Sequence, residues 1–293
     1  PLEESERTFL ILEDGARLSY RSFIERTNQI AVSLLDSGLE PGDRVAAQVN
    51  KSWQALALYL ATIKAGGVFL PLNNAYTASE VTYFVTDAGP KILICDQAAI
   101  DALKSTADSS GCSLLTLNQD GTGTLADIAD RNDRSFTAIP RERADLAAIL
   151  YTSGTTGRSK GAMLTHHNLW SNTEVLTRAW DFTQNVVLLH ALPIFHTHGL
   201  FVATNTSILA GGRIIFLPGF QIEEVLQRLP DATCMMGVPT FYTRLLNDPR
   251  FTRDLVSHIR LFVSGSAPLL SETHVEFEKR TGHRILERYG MTE

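Results

Sequence analysis

Residues 145–161 read DLAAILYTSGTTGRSKG. After Asp145, LAAILY (146–151) forms an apolar run of strand length. It opens directly onto Thr152-Ser153-Gly154-Thr155-Thr156-Gly157-Arg158-Ser159-Lys160-Gly161. A loop that leaves an apolar strand in this way sits at the strand's carboxyl end, where open α/β sheets bind their ligands. Its two glycines let the backbone turn tightly with N–H groups outward. The hydroxyls of Thr152, Ser153, Thr155 and Thr156 can donate to phosphate oxygens, and Lys160 adds a positive charge. These are the needs of a polyphosphate grip. The spacing is not that of a Walker A loop, whose lysine directly follows the second glycine and whose chain runs straight into a helix. Here Lys160 lies three past Gly157, and residues 161–165 (GAMLT) read as another short strand. Composition alone equally admits a flexible Gly/Ser/Thr surface loop.

Working outward, helical and strand periods alternate from Leu18 onward. Ser19 reads as the N-cap of a helix with apolar positions at Phe23, Ile30, Ala31, Leu34 and Leu35, closed by Gly38 and the Pro41-Gly42 turn. A strand at 44–49 follows, then a helix at 52–65 that is apolar nearly all round and so expected to be buried on most sides, then a strand at 68–72. Thr77-x-x-Glu80 is a capping box for a helix running to about Asp87, and 91–95 (KILIC) is a strand. Beyond the loop the pattern predicts helices at 166–180, 200–210, 221–229, 239–247 and 271–281. Strands are predicted at 186–192, 213–217, 232–238, 261–263 and 284–288. The fold class is therefore α/β, with mainly parallel sheets covered by helices on both faces. A polar, turn-rich segment, 118–144, divides the chain into α/β halves 1–117 and 145–293.

The totals narrow the function. A chain of 293 residues, 44% hydrophobic and 20% charged, has the profile of a globular protein with a large core. A net charge of −6 without a Lys/Arg stripe gives no footing for nucleic acid or an anionic membrane, which leaves a small-molecule partner. Cys95, Cys112 and Cys234 include no C-x-x-C pair, and two lie in apolar runs, so they read as buried thiols of a reducing compartment. No run approaches the roughly 18–20 apolar residues of a membrane helix, and the acidic start PLEESERTFLILEDG fits neither a signal nor a transit peptide. Together these point to a cytoplasmic location.

Two further segments follow strands. In Glu287-Arg288-Tyr289-Gly290-Met291-Thr292-Glu293, the tyrosine beside a glycine can stack on a purine, Thr292 offers a hydroxyl, and Glu293 a hard oxygen ligand for Mg²⁺. A strand end with a packed tyrosine and solvated charges would look the same. In Ser264-Gly265-Ser266-Ala267-Pro268, small residues and a proline make a thin wall for a flat ligand, or a plain tight turn. His196 and His198, in HTHG, lack a third clustered ligand for a metal site and fit a pocket wall better.

In this order, YTSGTTGRSKG, GSAP and YGMTE resemble the successive signature motifs of the adenylate-forming superfamily: acyl-CoA synthetases, luciferases and nonribosomal adenylation domains. KAGGVFLPLN (64–73) resembles an early block of the same family, so the likeness covers essentially the whole chain. The runs at 145–169, 190–205, 236–246 and 262–293 most resemble the malonate:CoA ligase branch. The resemblance implies the large N-terminal domain of an enzyme that activates malonate with ATP as malonyl-adenylate, releases pyrophosphate, and passes the acyl group to coenzyme A. Residue by residue, it implies that Thr152, Ser153, Gly154, Thr155, Thr156, Gly157 and Lys160 hold the ATP phosphates. Gly265, Ser266, Ala267 and Pro268, with Glu287, Arg288 and Tyr289, would frame the adenine. Thr292 would touch the α-phosphate, Glu293 would bind Mg²⁺, and His198, Ser266 and Met291 would line the acyl pocket. Lys160, Thr292 and Glu293 would thus be the catalytic groups.

Malonate carries a second carboxylate, and burying it requires a fixed cation or several donors. Arg244, on the short helix opened by Pro239, is the candidate, against the alternative of an exposed arginine paired on the surface. The superfamily's mobile C-terminal domain, with its lysine, and the ribose-binding aspartate have no counterpart in these residues, so we expect the chain by itself to be catalytically crippled. Two other readings stay open: a ligase for another short-chain or aryl carboxylate such as methylmalonate, and a non-catalytic nucleotide-binding module.

Overall fold

The computed structural model describes residues 2–152 and 158–292. Thirteen strands are described: β1 (Thr8–Ile11), β2 (Arg17–Ser19), β3 (Arg44–Gln48), β4 (Val68–Pro71), β5 (Ile92–Cys95), β6 (Ser113–Thr116), β7 (Leu146–Thr152), β8 (Lys160–Thr165), β9 (Val187–His190), β10 (Arg213–Phe216), β11 (Cys234–Gly237), β12 (Leu261–Ser264) and β13 (Ile285–Glu287). They build a six-stranded sheet, β6-β5-β3-β4-β7-β8, and a seven-stranded sheet, β13-β12-β11-β9-β10-β1-β2. Every pairing is parallel except β1 with β2 and β7 with β8. The helices are α1 (Tyr20–Asp36), α2 (Trp53–Lys64), α3 (Ala78–Ala88), α4 (Ile100–Ser110), α5 (Thr124–Ala129), α6 (His166–Ala179), α7 (Asn205–Leu209), α8 (Ile222–Arg228), α9 (Pro239–Leu246), α10 (Arg253–Val256) and α11 (Ser271–Thr281).

Burial follows position in the sheet. β4, β5, β9 and β11 are buried at every residue, because a parallel strand covered on both faces has no polar side to offer water. The edge strands β2, β6, β8 and β13 each keep exposed positions. Within the large sheet the period of two is clean: Ile214 and Phe216 face one core, Ile215 and Phe262 another. The first of these cores joins the sheets. It packs Phe9, Ile214 and Phe216 of one sheet and Phe69, Ala148 and Leu150 of the other around α1 and α2. Helix α2 is apolar nearly all round because it lies between the two sheets. The layers thus run α3 and α4, small sheet, α1 and α2, large sheet, then α8, α9 and α11. All three cysteines are buried.

The two sheets do not follow the sequence division at 118–144. β1 from the first half pairs with β10, and β7 from the second half pairs with β4. Segment 118–144 itself contains α5, whose Leu125 and Ala129 join the central core. Other elements lay in stretches with weak periodicity. The hairpin β1–β2 turns at Asp14-Gly15, where the Leu12 carbonyl accepts from Gly15 N. Helix α4 carries its apolar positions Leu103 and Ala107 inward and ends at a left-handed Gly111. The helix expected at 200–210 begins instead as a π-helical segment, His198–Thr204, which continues into α7. Among the described residues no helix is long and apolar enough to cross a membrane.

Helix α6 starts where β8 ends, and a capping box makes the junction. Thr165 Oγ1 accepts from Asn168 N at 3.1 Å, and Asn168 Oδ1 accepts from Thr165 N at 2.9 Å. His166 and His167 are the first residues of that helix. Thr165→Ala is expected to lower the unfolding free energy by about 1 kcal/mol in a denaturant titration. A loss below a few tenths would mean that the cap contributes nothing.

Candidate active site

β7 and β8 form an antiparallel hairpin in which Thr152 is opposite Lys160 and Tyr151 opposite Gly161. The hairpin therefore sets Thr152, at the carboxyl end of β7, beside Lys160, at the start of β8. Helix α3 anchors both of its flanks. The Tyr151 hydroxyl donates to Asp87 Oδ2 at 2.5 Å, and the Tyr83 hydroxyl donates to the Ser159 carbonyl at 2.8 Å. The Tyr151 ring also packs on Phe84 at 4.4 Å between centroids. Burial and the neighbouring Asp87 carboxylate both hold the Tyr151 hydroxyl protonated, which keeps it a donor. The phosphate-binding positions Ser153, Gly154, Thr155, Thr156 and Gly157 lie outside the described residues.

Between the carboxyl ends of strands from both sheets lies a cavity of about 690 Å³. Thr152, Lys160 and Gly161 of the hairpin form part of its wall, with Pro71 at the end of β4 and Asn73 and Tyr76 after it. The loop after β9 contributes Phe195 to His198, the segment after β12 contributes Ser266, and the segment after β13 contributes Arg288, Gly290, Met291 and Thr292. Thr197 and Thr292 share a hydroxyl hydrogen bond of 3.3 Å, which ties the β9 loop to the last segment.

His198 is 4% exposed. Its Nδ1 lies 3.4 Å from Ser266 Oγ, and its Nε2 is buried without a partner among the described residues. Ser266 itself holds φ of 71°, a left-handed conformation unusual for serine and the sort of strain that collects at functional sites. Gly265 allows a close approach: a Cβ there would stand 3.1 Å from His198 Cε1, so the ring would have to give by a few tenths of an ångström. Burial, the Arg288 charge and His196 lower the His198 pKa to about 4, so the imidazole is neutral near pH 7. In the tautomer in which the Ser266 hydroxyl donates to Nδ1, the hydrogen sits on Nε2.

A linkage prediction follows from that value. The folded pKa of about 4 lies below the ordinary 6.5, so between those values the unfolded chain binds more protons than the native one. The His198 contribution to stability is intact above pH 6.5 and is lost as pH falls toward 4. The thermal unfolding midpoint should therefore drop on acidification through that window, and His198→Gln should shrink the drop. An identical acid profile in the variant would contradict the assignment.

The positions singled out in the sequence divide into two groups. Thr152, Lys160, His198, Ser266, Arg288, Met291 and Thr292 converge on the cavity; Gly265, Ala267, Pro268, Glu287 and Tyr289 are outside its lining. Tyr289 is 88% exposed, and Glu287 Oε2 lies 3.2 Å from His274 Nε2. Glu287 is the last residue of β13, and the cavity wall begins with the residue after it, Arg288. Arg288 thus lines the same cavity as His198. Arg244 also needs correction. Its Nη1 donates to the Phe220 carbonyl at 3.3 Å, and its guanidinium lies 4.7 Å from the Phe220 ring, which stacks on Phe241. It caps an aromatic pair on the surface and does not reach the cavity. Glu293, the expected Mg²⁺ ligand, lies outside the described residues. Among the described residues no three His, Cys, Asp or Glu side chains gather as a metal cage. Tyr76, Asn73, Phe195, Thr197 and the anchors Tyr83 and Asp87 were not foreseen. The signal for most was position, since each lining loop follows a strand's carboxyl end.

A family model described as AMP-binding enzyme matches residues 2–293. A malonate–CoA ligase of Arabidopsis thaliana is 32% identical over 274 residues, which cover 86% of this chain and 45% of that protein. A long-chain-fatty-acid–CoA ligase of Bacillus subtilis is 32% identical, with 95% of this chain and 56% of that protein covered. Among solved structures, ATP-bound MatB from Rhodopseudomonas palustris superposes with a TM-score of 0.98 at 53% identity, covering 100% of this chain and 58% of that one. The chain spans about half the length of the curated relatives it matches.

Proposed function

The chain belongs to the AMP-binding enzyme family, and from that premise we propose that it is the adenylating part of a ligase that activates malonate with ATP and delivers the malonyl group to coenzyme A. The observation that carries this reading is that Arg288 and the buried His198 line one cavity, with the Arg288 charge close enough to act on the imidazole and with His198 Nε2 unpartnered among the described residues. A cavity for an alkyl chain has no use for a buried cation beside an unsatisfied donor, whereas a dicarboxylate satisfies both. The relative named malonate–CoA ligase supports the same choice.

In the proposed reaction one malonate carboxylate attacks the α-phosphorus of ATP, the bond to the β-phosphate oxygen breaks, and pyrophosphate leaves. Attack by an anion on an anion is helped mainly by positioning and charge neutralisation. Lys160, at the mouth of the hairpin, would neutralise phosphate charge, while the Thr152 and Thr292 hydroxyls would donate to phosphate oxygens. Mg²⁺ would arrive with the nucleotide, held by its phosphates and a carboxylate such as Glu293, as this ion usually is. Arg288 and His198 would hold the distal carboxylate so that the reacting one faces the nucleotide. The thiolate of coenzyme A would then attack the acyl carbon and expel AMP.

The test is calorimetric titration of the chain with malonate, methylmalonate and propionate, each in the presence of an ATP analogue whose α,β bridge is carbon. Malonate should bind at least about tenfold more tightly than propionate. Equal affinities would remove the dicarboxylate reading, and a preference for methylmalonate would redirect it to the branched acid.

A further inference from the structure

Lys51 precedes Ser52, the N-cap of α2, and its side chain reaches across the central layer to the end of β9. Its Nζ donates to the His190 carbonyl at 2.9 Å, lies 3.1 Å from His190 Nδ1, and stands 4.4 Å from the centroid of the Phe216 ring. His190 is fully buried. On its far side, Nε2 lies 2.9 Å from the Gly199 carbonyl, which also accepts from Thr204 Oγ1 at 3.0 Å.

These contacts determine the tautomer. A carbonyl only accepts, so Nε2 must carry the hydrogen; the neutral ring then has a bare Nδ1, which accepts from Lys51. Burial and the neighbouring Lys51 both hold the His190 imidazole well below its ordinary pKa, consistent with a neutral ring. Lys51 donates whether its amine is charged or not, so the arrangement does not depend on that proton.

Gly199 is the second residue of the π-helical segment, directly after His198. It also packs hard against the chain before it, since a Cβ at 199 would fall 2.0 Å from the Pro193 carbonyl oxygen. The first turn of the segment is therefore clamped twice: through its carbonyl by His190 and Thr204, and through its Cα face by residue 193. The residue aimed by that turn is His198, whose Nε2 has no partner among the described residues.

We propose that Lys51 and His190 are positioning residues for the acyl end of the site: Lys51 selects the His190 tautomer whose Nε2–H holds the Gly199 carbonyl, and that hold sets where His198 presents its ring. The function of the pair rests on the reading of His198 as a carboxylate contact, and the experiment separates the two. In the ¹⁵N-labelled chain, the side-chain nitrogen spectrum should give His190 a protonated Nε2 and a bare Nδ1. In Lys51→Met the ring signals of His198 should move, although among the described residues no hydrogen bond joins His198 to Lys51 or His190. Carboxylate titrations then use whichever of malonate, methylmalonate and propionate the unaltered chain binds best, so a failed dicarboxylate preference does not hide the result. Lys51→Met and His190→Leu should each weaken that carboxylate about tenfold, with the affinity for ATP changed less than about twofold. His190→Gln, which keeps an N–H near the Nε2 position, should recover most of the loss. A proton on Nδ1 of His190, unmoved His198 signals in Lys51→Met, an unchanged carboxylate affinity, or an equal loss of ATP and carboxylate binding would each overturn the proposal. The spectra of the unaltered chain test the tautomer even if a variant fails to fold.

Discussion

Arg288→Met should weaken malonate binding about 100-fold while changing propionate by less than about threefold. The argument starts from what the guanidinium does in the cavity. It is half-buried, burial lowers its pKa from the usual arginine value, and it faces His198, which is neutral. A distal carboxylate entering this space loses its water and needs a charged partner. Removing that partner leaves the carboxylate buried and unpaired, which costs about 2–5 kcal/mol and corresponds to a loss of about 30-fold or more. Propionate places a methyl group at the same point and loses nothing that a methionine stem does not restore. Arg288→Lys should fall between, because an ammonium lacks the two-pronged geometry that matches a carboxylate. Arg244→Met serves as the control. Its guanidinium lies on Phe220 outside the cavity, so malonate affinity should change less than about twofold. Calorimetric titration of the four chains decides the matter. Parallel losses of malonate and propionate in Arg288→Met would sink the assignment, and a large loss in Arg244→Met would restore the other arginine.

That contrast between two arginines shows where sequence reasoning stops. Both are single basic residues on short elements near apolar runs, and composition does not distinguish them. What separates them is position: Arg288 directly follows β13, where the chain lines the cavity with His198, while an aromatic pair captures Arg244. The first was readable in principle from the strand at its amino side. The second required knowing that Phe220, 24 residues earlier, lies against α9. The same division holds for the fold. β3, β4, β5, β9 and β11 are near-continuous apolar runs, and their burial on both faces is what makes them legible. The edge strand β6 and the six-residue α5 carry too few buried positions for a period to emerge. The exchange of β1 and β7 between the sheets is a long-range pairing, and local pattern does not contain it.

Partners in the cavity come from loops far apart in the chain, so its shape depends on how firmly each loop's strand is backed. Tyr83 and Asp87 brace the β7–β8 hairpin from α3. Lys51 and His190 brace the segment that carries His198. The remaining wall, Ser266 and residues 288–292, follows β12 and β13, which lie at one edge of the large sheet and are backed by α11.

Phe277→Ala should therefore be the most destabilising of the substitutions considered, at about 3–5 kcal/mol. Helix α11 buries only Thr273, Phe277 and Thr281, and Phe277 is its sole large apolar anchor. The ring is fully buried, with Phe262 of β12 at 5.0 Å, Tyr242 of α9 at 5.6 Å and Phe251 at 5.7 Å between centroids. Alanine leaves an unfilled space among three rings that are themselves held elsewhere. The Tyr242 hydroxyl, for one, is fixed to the Val263 carbonyl at 2.6 Å, so the space cannot collapse cheaply. Domains of ordinary stability hold about 5–15 kcal/mol in total, so the variant should unfold at a much lower denaturant concentration. Phe277→Leu retains most of the apolar volume and should recover about half of the loss. Because the same ring supports β12, the alanine variant should also bind carboxylate more weakly than ATP, whose main contacts are expected on the hairpin of the other sheet. A midpoint lowered by less than the equivalent of about 1 kcal/mol would mean that α11 is held by its ends and not by this ring.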